Sequence, residues 1–499
     1  MVPMLVGKSA EGIAAMLAAL ATGRPFCFLN TKYRGPQIAS VLDASAAQVC
    51  VIDAPGLVAL KGAWKEHPQI ARVTWVILGG RTLTGIYADA ASALTEAAHV
   101  VLFDADDGAC DGETILTSEP VRGAAAGTCL FTSGSTGEPK GVLISTDDLM
   151  GRMDAEVAWF GLTPDDRLLS ILPFSFDVGL NQLMTALAVG AELVVVDSWL
   201  PADILGSVEQ RGVTGISGVP SIWQDMINAG VRFDTRGRHA SLRYITVSGG
   251  SLARPYLEQL PALAAGVQIF KTYGQTEAFR ATSLRPEDFY RKTESVGTPF
   301  PGVRVYVVRE DGTRCAPAEV GEVVHTGLGT MMGYLGGAAG DDGGGDGKRR
   351  KNPYLGPDDA SAFAIFTGDM GYLDDEGYLF LRGRRDNLVK VRGNRVYPEE
   401  VTNQIVRIAG VRDATVISVP DGDGQNVLVA FLVPAPGAEL AAGAVRRALG
   451  ATLPGFMIPK EIVIVPQIPR GLSGKPDRGE LLKAYPATGN PGDRLARQI

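Results

Sequence analysis

Hydrophobic and polar positions alternate in a regular way along the first two thirds of the chain. Up to about residue 330, short apolar runs rich in β-branched residues are separated by Ala-rich or amphipathic stretches of helical pattern. The runs that we interpret as buried strands are 73–78, 168–172, 193–196 and 244–247. This alternation predicts α/β layers with largely parallel sheets. Residues 12–21 predict a core helix and not a signal peptide, because no basic segment precedes them.

The pattern changes beyond residue 300. Residues 303–308 and 322–325 flank a turn at Asp311 and Gly312, which predicts a β-rich section with hairpins. Residues 336–347 consist largely of Gly and Asp, and they predict a mobile loop because they cannot bury apolar surface.

The C-terminal part has its own pattern of elements. We expect a helix from about Pro398, strands at 414–419, 427–433 and 462–465, and another helix between the last two strands. The expected fold class is therefore α/β, in two domains. Residues 1–385 form a large N-terminal domain of layered α/β subdomains plus a β-rich subdomain, and residues 386–499 form a small, mobile α+β domain.

Composition excludes several classes of function. The chain has 499 residues, of which 45% are hydrophobic and 20% charged, with a net charge of −8. No apolar run reaches the length of a membrane span, and an acidic chain has no global attraction for nucleic acid, so we expect neither partner. The basic run 348–351 is interpreted as part of a solvated loop. Five scattered cysteines and four scattered histidines argue against a zinc site or a His-based triad, and indicate a reducing cytoplasm.

The most informative segment is 128–141, an apolar strand followed by Gly, Ser and Thr with one lysine near the end. Glycines let backbone N–H groups approach a polyphosphate, hydroxyls add donors, and the lysine adds positive charge. The segment does not match the P-loop pattern G-x-x-x-x-G-K-[ST], and a flexible linker is the alternative interpretation. The candidate phosphate-binding residues are Thr132, Ser133, Gly134, Ser135, Thr136, Gly137 and Lys140.

Within this segment, Ser-Gly-Ser-Thr-Gly-Glu-Pro-Lys-Gly resembles the signature of the adenylate-forming superfamily. That family includes acyl-CoA synthetases, the adenylation domains of peptide synthetases, and luciferases. Further segments resemble the other family motifs, in the family order and over nearly the whole chain. The resemblance implies an ATP site with Mg²⁺ and the activation of a carboxylic acid.

Residues 271–277, Lys-Thr-Tyr-Gly-Gln-Thr-Glu, are similar to the second core motif of the family. The resemblance implies that Tyr273 stacks on adenine, that Thr276 contacts the α-phosphate, and that Glu277 holds Mg²⁺. A carboxylate suits this hard cation. A plain turn after a buried strand is the alternative interpretation.

The loop 247–251 resembles the strand-loop that borders the adenine and acyl pockets, although its glycines could make only a tight turn. The resemblance assigns Gly249, Gly250 and Gly274 to the ATP site, and Phe176, Asp177, Ser248, Gly249 and Gln275 to the substrate pocket.

Two charged residues resemble the ribose site of the family. Thr367-Gly368-Asp369 matches its ribose motif, and a carboxylate such as Asp369 can accept hydrogen bonds from vicinal hydroxyls. Arg384 is similar to the second ribose or phosphate contact, and Asp386 lies where the family has its hinge. Surface salt bridges are the alternative interpretation for both charges.

The C-terminal motifs imply a two-step reaction. Residues 387–396 resemble the segment that faces the active site in the second half-reaction, with Arg392 and Gly393 near the pantetheine arm. Lys475 is similar to the catalytic lysine, which bridges the substrate carboxylate and the α-phosphate. The resemblance implies that the C-terminal domain swings about Asp386 between the two steps, replacing Lys475 by the Gly393 face.

The sequence leaves the acid open. Amino-acid-activating relatives pair an aspartate at the place of Asp177 with the substrate ammonium, but Asp177 could equally belong to a helix start. Aromatic residues near the motifs would suit an aryl or medium-sized apolar acid; they are Phe174, Phe176, Trp223 and Phe279.

The leading hypothesis is an AMP-forming carboxylic acid:CoA ligase that uses ATP and Mg²⁺. The alternatives are an enzyme that loads an amino or aryl acid onto the phosphopantetheine of a carrier protein, an adenylating enzyme with an amine acceptor or nitrite as the acid, and a non-catalytic nucleotide-binding protein. Most relatives have further residues before the segment that resembles 2–30, so the first subdomain is expected to be shortened, lacking an edge strand or a helix. The expected state is a monomer or homodimer.

Overall fold

The computed structural model describes residues 1–80, 83–103, 125–133, 139–336, 347–354, 356, 361–391, 394–420, 426–470 and 476–484. In these residues the strands are β1 (Val2–Leu5), β2 (Phe26–Phe28), β3 (Val49–Ile52), β4 (Thr74–Leu78), β5 (Val100–Phe103), β6 (Ala126–Ser133), β7 (Pro139–Ser145), β8 (Arg167–Ser170), β9 (Glu192–Val195), β10 (Gly215–Gly218), β11 (Tyr244–Val247), β12 (Gln268–Gln275), β13 (Phe279–Leu284), β14 (Thr298–Pro299), β15 (Val303–Val308), β16 (Gly321–Gly327), β17 (Gly333–Tyr334), β18 (Arg349–Lys351), β19 (Phe363–Leu373), β20 (Leu379–Arg384), β21 (Val389–Val391), β22 (Asn394–Val396), β23 (Val411–Pro420), β24 (Asn426–Pro434) and β25 (Glu461–Ile464).

The helices of the described residues are α1 (Ala10–Ala21), α2 (Gly35–Ser45), α3 (Ala54–Leu60), α4 (Pro68–Arg72), α5 (Ile86–Thr95), α6 (Thr146–Phe160), α7 (Asp177–Val189), α8 (Pro201–Arg211), α9 (Pro220–Asn228), α10 (Arg254–Leu257), α11 (Leu260–Leu263), α12 (Pro398–Ile405), α13 (Ala442–Gly450) and α14 (Arg478–Ala484). The core helix predicted at 12–21 and the strands predicted in the first two thirds of the chain are confirmed.

The first sheet has the strand order β17-β7-β6-β2-β1-β3-β4-β5 and is parallel from β6 to β5. Both of its faces are covered, because successive side chains of β1 enter different cores. Leu5 packs with residues of α2 and α3, whereas Met4 packs with Met16 of α1, Leu149 of α6 and Leu183 of α7. The near-continuous apolar strands of the sequence therefore belong to a sheet buried on both faces.

The second sheet has the order β14-β13-β12-β11-β10-β8-β9 and is parallel from β9 to β12. Its outer face packs on α8 to α11 around the buried indole of Trp223. Its inner face packs on α6 and α7, where Phe160 contacts Tyr244 and Phe270. Helices α6 and α7 thus lie between the two sheets, so five layers are stacked.

A buried lysine joins the carboxyl ends of the two sheets. Lys8, which follows β1, donates to the carbonyl oxygens of Ser170 at 2.7 Å and Val196 at 2.6 Å, at the ends of β8 and β9. Burial lowers the pKa of Lys8, and Asp197 at 3.2 Å opposes that effect. Ligands of open α/β sheets bind outside the carboxyl ends of the strands, so this crevice is where a site is expected.

The two remaining units differ from the parallel layers. The β-rich subdomain has the order β15-β16-β19-β18, with β20 also paired to β19, and is antiparallel. The C-terminal unit contains the pairs β21-β22 and β23-β24-β25, packed on α12 and α13. The predicted fold class, α/β with a β-rich subdomain and a smaller α+β unit, is confirmed.

The expectation of a solvated loop at 348–351 is wrong. Residues 349–351 form β18, which pairs antiparallel with β19. The guanidinium of Arg349 lies 3.3 Å from the ring centre of Phe363, and that of Arg350 lies 4.1 Å from Phe366. Cation–π contacts explain how an edge strand accommodates so many positive charges. Separately, none of the helices in the described ranges combines the length and apolarity that crossing a bilayer requires.

Candidate active site

The phosphate-loop segment includes the ends of two antiparallel strands. Strands β6 and β7 bring Thr132 opposite Lys140, and the Thr132 hydroxyl donates to the Lys140 carbonyl at 3.5 Å. The Lys140 ammonium lies 5.6 Å from the ring centre of Tyr334 on β17, which pairs with β7. The predicted contacts Gly134, Ser135, Thr136 and Gly137 lie outside the described residues.

The second core motif is shaped by one glycine. A Cβ atom at Gly274 would lie 1.6 Å from the carbonyl oxygen of Phe279, so no other residue fits where β12 turns into β13. Phe279 has a φ of +38°, a left-handed conformation that is rare for a bulky residue. The resulting tight turn carries Thr276 and Glu277 at the carboxyl end of β12.

Asp369 is the centre of a hydrogen-bonded cluster. Its Oδ2 accepts from the Tyr273 hydroxyl at 2.6 Å and from Gln275 Nε2 at 2.5 Å, and its Oδ1 lies 3.5 Å from Arg384 Nη1. Burial and the neighbouring carboxylate raise the pKa of Tyr273, so the phenol stays protonated and can donate. The structure thus brings together the residues that the motifs assigned to adenine and ribose.

Gln275 lies elsewhere than the motif implied. Its side-chain amide donates to the Thr367 carbonyl at 3.0 Å as well as to Asp369, which places the side chain with the ribose residues. The expectation that Gln275 lines the acid pocket does not match this orientation, because Gln275 bonds to β19 of the β-rich subdomain.

Glu277 is paired with Lys348, the first residue of the basic run that was expected to be solvated. Its Oε1 accepts from Lys348 Nζ at 2.5 Å and from the Tyr334 hydroxyl at 2.9 Å. Burial alone would raise the pKa of Glu277, but Lys348 and Tyr334 more than offset it and hold the pKa below its ordinary value. Lys348 is 71 residues away in sequence and lies in a basic run, so no local pattern connects it to Glu277.

The residues present fit a magnesium ion. Glu277 is only 8% exposed, yet it stays ionised because a cation lies against it, which is the environment that a metal ion would also provide. The described residues contain no cluster of three or more His, Cys, Asp or Glu side chains that could hold a metal. Mg²⁺ does not need one, since it is commonly bound by one or two carboxylates together with substrate phosphates.

The predicted acid-pocket residues other than Gln275 meet where β11 ends and α7 begins. Gly249 has a φ of +77°, and a Cβ there would lie 3.2 Å from Cζ of the Phe176 ring. The hydroxyls of Ser248 and Thr272 lie 2.7 Å apart. A Cβ at Gly250 would lie 3.3 Å from the Pro220 side chain, so the two glycines keep this loop close to its neighbours.

Asp177 is the first residue of α7. Its carboxylate accepts from the backbone N–H of Val178 at 2.7 Å, a position where negative charge favours the helix dipole. The buried guanidinium of Arg152 also interacts with this carboxylate. The helix-start interpretation accounts for this geometry without any substrate ammonium.

The aromatic residues proposed for an apolar pocket occupy different environments. Phe176 lies at the Gly249 loop, whereas the other three are packed in hydrophobic cores. Phe174 contacts Phe28, Trp223 donates to the Thr246 carbonyl at 3.0 Å, and Phe279 packs near Phe300. These cores, and not an aryl pocket, account for their sequence pattern.

The predicted hinge is exposed. Asp386 is 72% exposed and its Oδ2 lies 3.5 Å from Arg384 Nη2, which links the hinge to the ribose cluster. Asn387 Nδ2 donates to Glu399 of α12 at 2.5 Å. The other predicted residues of the second half-reaction and of catalysis, Arg392, Gly393 and Lys475, lie outside the described residues. We refer below to Tyr273, Glu277, Asp369 and Arg384 as the nucleotide side, and to Phe176, Asp177, Ser248 and Gly249 as the acid side.

Comparison with known proteins agrees with this geometry. Residues 1–335 match the family described as AMP-binding enzyme, and residues 400–475 match the AMP-binding enzyme C-terminal domain. A linear gramicidin synthase polypeptide of Brevibacillus parabrevis is 27% identical over the whole chain, which spans 9% of that protein's length. Indoleacetate–CoA ligase of Aromatoleum aromaticum is 28% identical over 94% of this chain and 85% of its own length.

A solved structure shows the same fold. The o-succinylbenzoate CoA synthetase of Bacillus subtilis, in complex with an acyl-adenylate intermediate, superposes with a TM-score of 0.74 at 24% identity, covering 96% of this chain and 87% of that one. Because the family match extends over more than half of the residues, the chain belongs to the AMP-binding enzyme family, the adenylate-forming superfamily that its motifs predicted.

Proposed function

We propose that the protein activates a small carboxylic acid with ATP and Mg²⁺ and transfers the acyl group to the thiol of coenzyme A. The observation that carries the proposal is the cluster around Asp369. Tyr273, Gln275 and Arg384 all contact this carboxylate, and the same β12–β13 turn carries Thr276 and Glu277. A nucleotide with its ribose at Asp369 would have its phosphates near that turn.

Asp369 has capacity left for a ribose. A carboxylate offers about four lone-pair sites, and the described donors occupy two of them on Oδ2. Oδ1, which faces Arg384 at 3.5 Å, remains suited to a vicinal hydroxyl. The Tyr273 ring, held by its own hydrogen bond, provides a fixed apolar surface next to that position.

The first step joins two anions. An oxygen of the acid attacks the α-phosphorus of ATP, the bond from that phosphorus to the bridging oxygen breaks, and pyrophosphate leaves with the electron pair. Positioning and charge neutralisation supply most of the acceleration. Lys140 and the neighbouring hydroxyls would hold the β- and γ-phosphates, and Lys475 would contact both the acid and the α-phosphate. Glu277 would hold Mg²⁺, which when bound neutralises phosphate charge.

In the second step the thiol sulfur attacks the acyl carbon, AMP leaves, and the thiol proton goes to solvent. The proposal places this step after a swing of the C-terminal domain about Asp386. We favour free coenzyme A in the cytoplasm as the acceptor because indoleacetate–CoA ligase, a relative that is matched along most of its length, is a CoA ligase. The alternative acceptor is the phosphopantetheine of a carrier protein, because the chain also matches a peptide synthetase.

Pyrophosphate release tests the proposal. The protein is supplied with ATP, Mg²⁺ and separate pools of amino acids, aryl acids, fatty acids, hydroxy acids, and nitrite with an arylamine, each with and without coenzyme A. We expect release with one pool of carboxylic acids and faster turnover with coenzyme A. If coenzyme A does not change the rate of pyrophosphate release, the acceptor in the second step would be a carrier protein or an amine. Bound ATP without release in every pool would overturn the proposal.

A further inference from the structure

A small polar cavity lies between α6, α7 and the inner face of the second sheet, and no step above uses it. Its volume is about 10 Å³, close to what one water-sized group needs. The polar side chains that line it are Glu156, Gln182, Thr185, Ser217, Tyr244 and Arg280. Because buried polar groups normally have hydrogen-bond partners, the polar lining of a cavity inside an apolar layer needs a physical explanation.

Two of these side chains keep unused hydrogen-bonding capacity. Gln182 is 5% exposed and Arg280 is 7% exposed. Within the described part of the chain, neither the two amide atoms of Gln182 nor Nη1 of Arg280 has a hydrogen-bond partner. Buried polar atoms are rarely left in this state, because each one loses its bonds to water.

The cavity lies at the inner end of the acid side. Tyr244, Thr246 and Ser248 share one face of β11, since alternate residues of a strand point the same way. The hydroxyls of Thr246 and Ser248 lie 3.2 Å apart, and Ser217 of β10 is paired in register with Thr246. A polar strip therefore runs along the sheet from Ser248, beside the Gly249 loop, to the cavity.

Helix α7 gives the same direction. It begins at Asp177 on the acid side, and the next residue, Val178, lines the cavity on the same helix face as Gln182 and Thr185. Gln182 lies about 6 Å beyond Val178 along the helix axis, at about 1.5 Å per residue. A substrate whose carboxylate is near the β12–β13 turn and whose chain passes Val178 would direct its far end at Gln182.

The charges in the cavity select an uncharged group. Glu156 Oε1 accepts from Arg280 Nε at 3.1 Å and from Nη2 at 2.6 Å, and Glu156 Oε2 accepts from Thr185 at 3.2 Å. The arginine charge is therefore already neutralised, and a second carboxylate would add an uncompensated negative charge beside Glu156. What remains is a donor at Arg280 Nη1 and a donor and acceptor at Gln182.

We infer that the acid activated by this enzyme carries a small uncharged hydrogen-bonding group, a hydroxyl or carbonyl, at the end distal to its carboxylate, where Gln182 and Arg280 receive it. The inference rests on the proposed function and names its substrate class. An alkyl end would leave the buried amide and guanidinium atoms unpaired, and a site built for hydrogen bonds rejects such analogues strongly.

Matched acids test the inference in the wild-type enzyme. Pyrophosphate release is measured with unbranched acids of four to eight carbons whose far end is methyl, hydroxyl or carboxylate, and with 3-phenylpropanoate against its 4-hydroxy derivative. We expect kcat/KM for the best hydroxy acid to exceed that of its methyl and carboxylate counterparts by roughly 10–100-fold, the value of one or two such hydrogen bonds. Equal rates, or a preference for the methyl or carboxylate series, would overturn the inference while leaving the proposed function intact.

A variant then assigns the preference to the cavity. Gln182→Leu keeps the size of the side chain and removes both amide atoms, so the hydroxyl preference should fall by about 10-fold or more while the KM for ATP stays unchanged. Gln210→Leu, on the exposed face of α8, is the matched control and should keep the preference. An unaltered preference in Gln182→Leu would contradict the assignment. If no acid of any series releases pyrophosphate, the proposed function itself fails and the inference falls with it.

Discussion

The nucleotide side and the acid side satisfy their buried polar groups in different ways. On the nucleotide side, Asp369 accepts hydrogen bonds from Tyr273 and Gln275, and Glu277 is paired with Lys348. At the inner end of the acid side, Gln182 has no hydrogen bond in the described residues, although it is buried to a similar degree. A ligand therefore meets Asp369 and Glu277 already partnered on one side, and supplies the missing partners of Gln182 on the other.

This difference has a consequence for selectivity. Where a buried polar group already has partners, the net gain from each further or exchanged contact with a ligand is small, and binding depends on the sum of many contacts. Where a ligand provides the missing partner, an analogue without that group leaves a buried atom unpaired and is rejected. We therefore expect the nucleotide side to determine the rate with any acid, and the acid side to determine which acid is used.

The largest effect is expected from the residue that would contact both sides. Lys475→Ala removes a cation from the acid carboxylate and from the α-phosphate, and two charge-assisted contacts correspond to about 10²–10⁴-fold in the rate of adenylate formation. Thioester formation from a supplied acyl-adenylate should be retained, because Lys475 would leave the site before that step. Both half-reactions are measured separately, with Lys483→Ala on the exposed face of α14 as the control. Equal loss of both half-reactions would contradict the domain swing.

A smaller effect is expected on the nucleotide side alone. Asp369→Asn keeps the shape but removes the charge that Arg384 and the Tyr273 hydroxyl face. The kcat/KM for ATP should fall by roughly 10–100-fold, the value of hydrogen bonds to a charged group, with the preference among acids unchanged. Asp311→Asn, in an exposed turn, is the control. A changed preference among acids would show that the two sides are not separate.

Lys348→Met tests whether Lys348 and the metal share one carboxylate. Because the lysine and Glu277 side chains are 18% and 10% exposed, removing the cation should lower the free energy of unfolding by roughly 2–3 kcal/mol, below the loss for fully buried pairs. Saturating ATP and Mg²⁺ should reduce the difference in unfolding free energy between the variant and the wild type, since the metal would take the place of the lysine. Denaturant titrations with and without nucleotide measure this, with Lys351→Met as control. The same difference in both conditions would exclude competition for Glu277.

The pH dependence of the same variant has a definite sign. In the wild type the pKa of Glu277 is below its ordinary 4.5, so its ion pair stabilises the fold above that pH and the stabilisation is lost as the pH falls through the lowered pKa. In Lys348→Met only the hydrogen bonds from Tyr334 and from the backbone of Glu277 still oppose the effect of burial, so the pKa of Glu277 should be higher than in the wild type and its ionisation should stabilise the fold less. The unfolding free energy difference between the two proteins should therefore grow with pH. The double variant Lys348→Met with Glu277→Gln should remove that trend.

Much of the fold follows from the sequence because its strands are continuous and apolar. Residues 74–78 and 244–247 each form a parallel strand buried between layers, so the local pattern and the tertiary environment agree. The basic run at 348–351 does not form the expected loop, because Arg349 and Arg350 contact aromatic rings of β19 and Lys348 contacts Glu277, which are contacts between distant positions.

The site is predictable to the extent that its residues lie in contiguous motifs. The sequence identifies Asp369 and Glu277, since their motifs are local. It assigns no role in the site to Lys348, Gln182 or Arg280, because their roles arise only when different elements meet. Gln182 belongs to a helix whose residues 179–186 are all buried, and only the packing of α6 and α7 against the second sheet shows where its amide lies.

The smallest predicted effect is a difference in stability between a variant of the nucleotide side and a variant of the acid side, measured without ligands. On the nucleotide side, Asp369→Asn weakens existing hydrogen bonds and should destabilise the free enzyme by about 1–3 kcal/mol. On the acid side, Gln182→Leu removes buried polar atoms that have no partners in the described residues. Because an apolar group of similar shape loses no hydrogen bond there, the free energy of unfolding should either increase or fall by less than about 1 kcal/mol. Denaturant unfolding of both variants without ligands measures the contrast. A loss above about 2 kcal/mol in Gln182→Leu would mean that the amide is already satisfied in the free protein, and the distinction between the two sides would not hold.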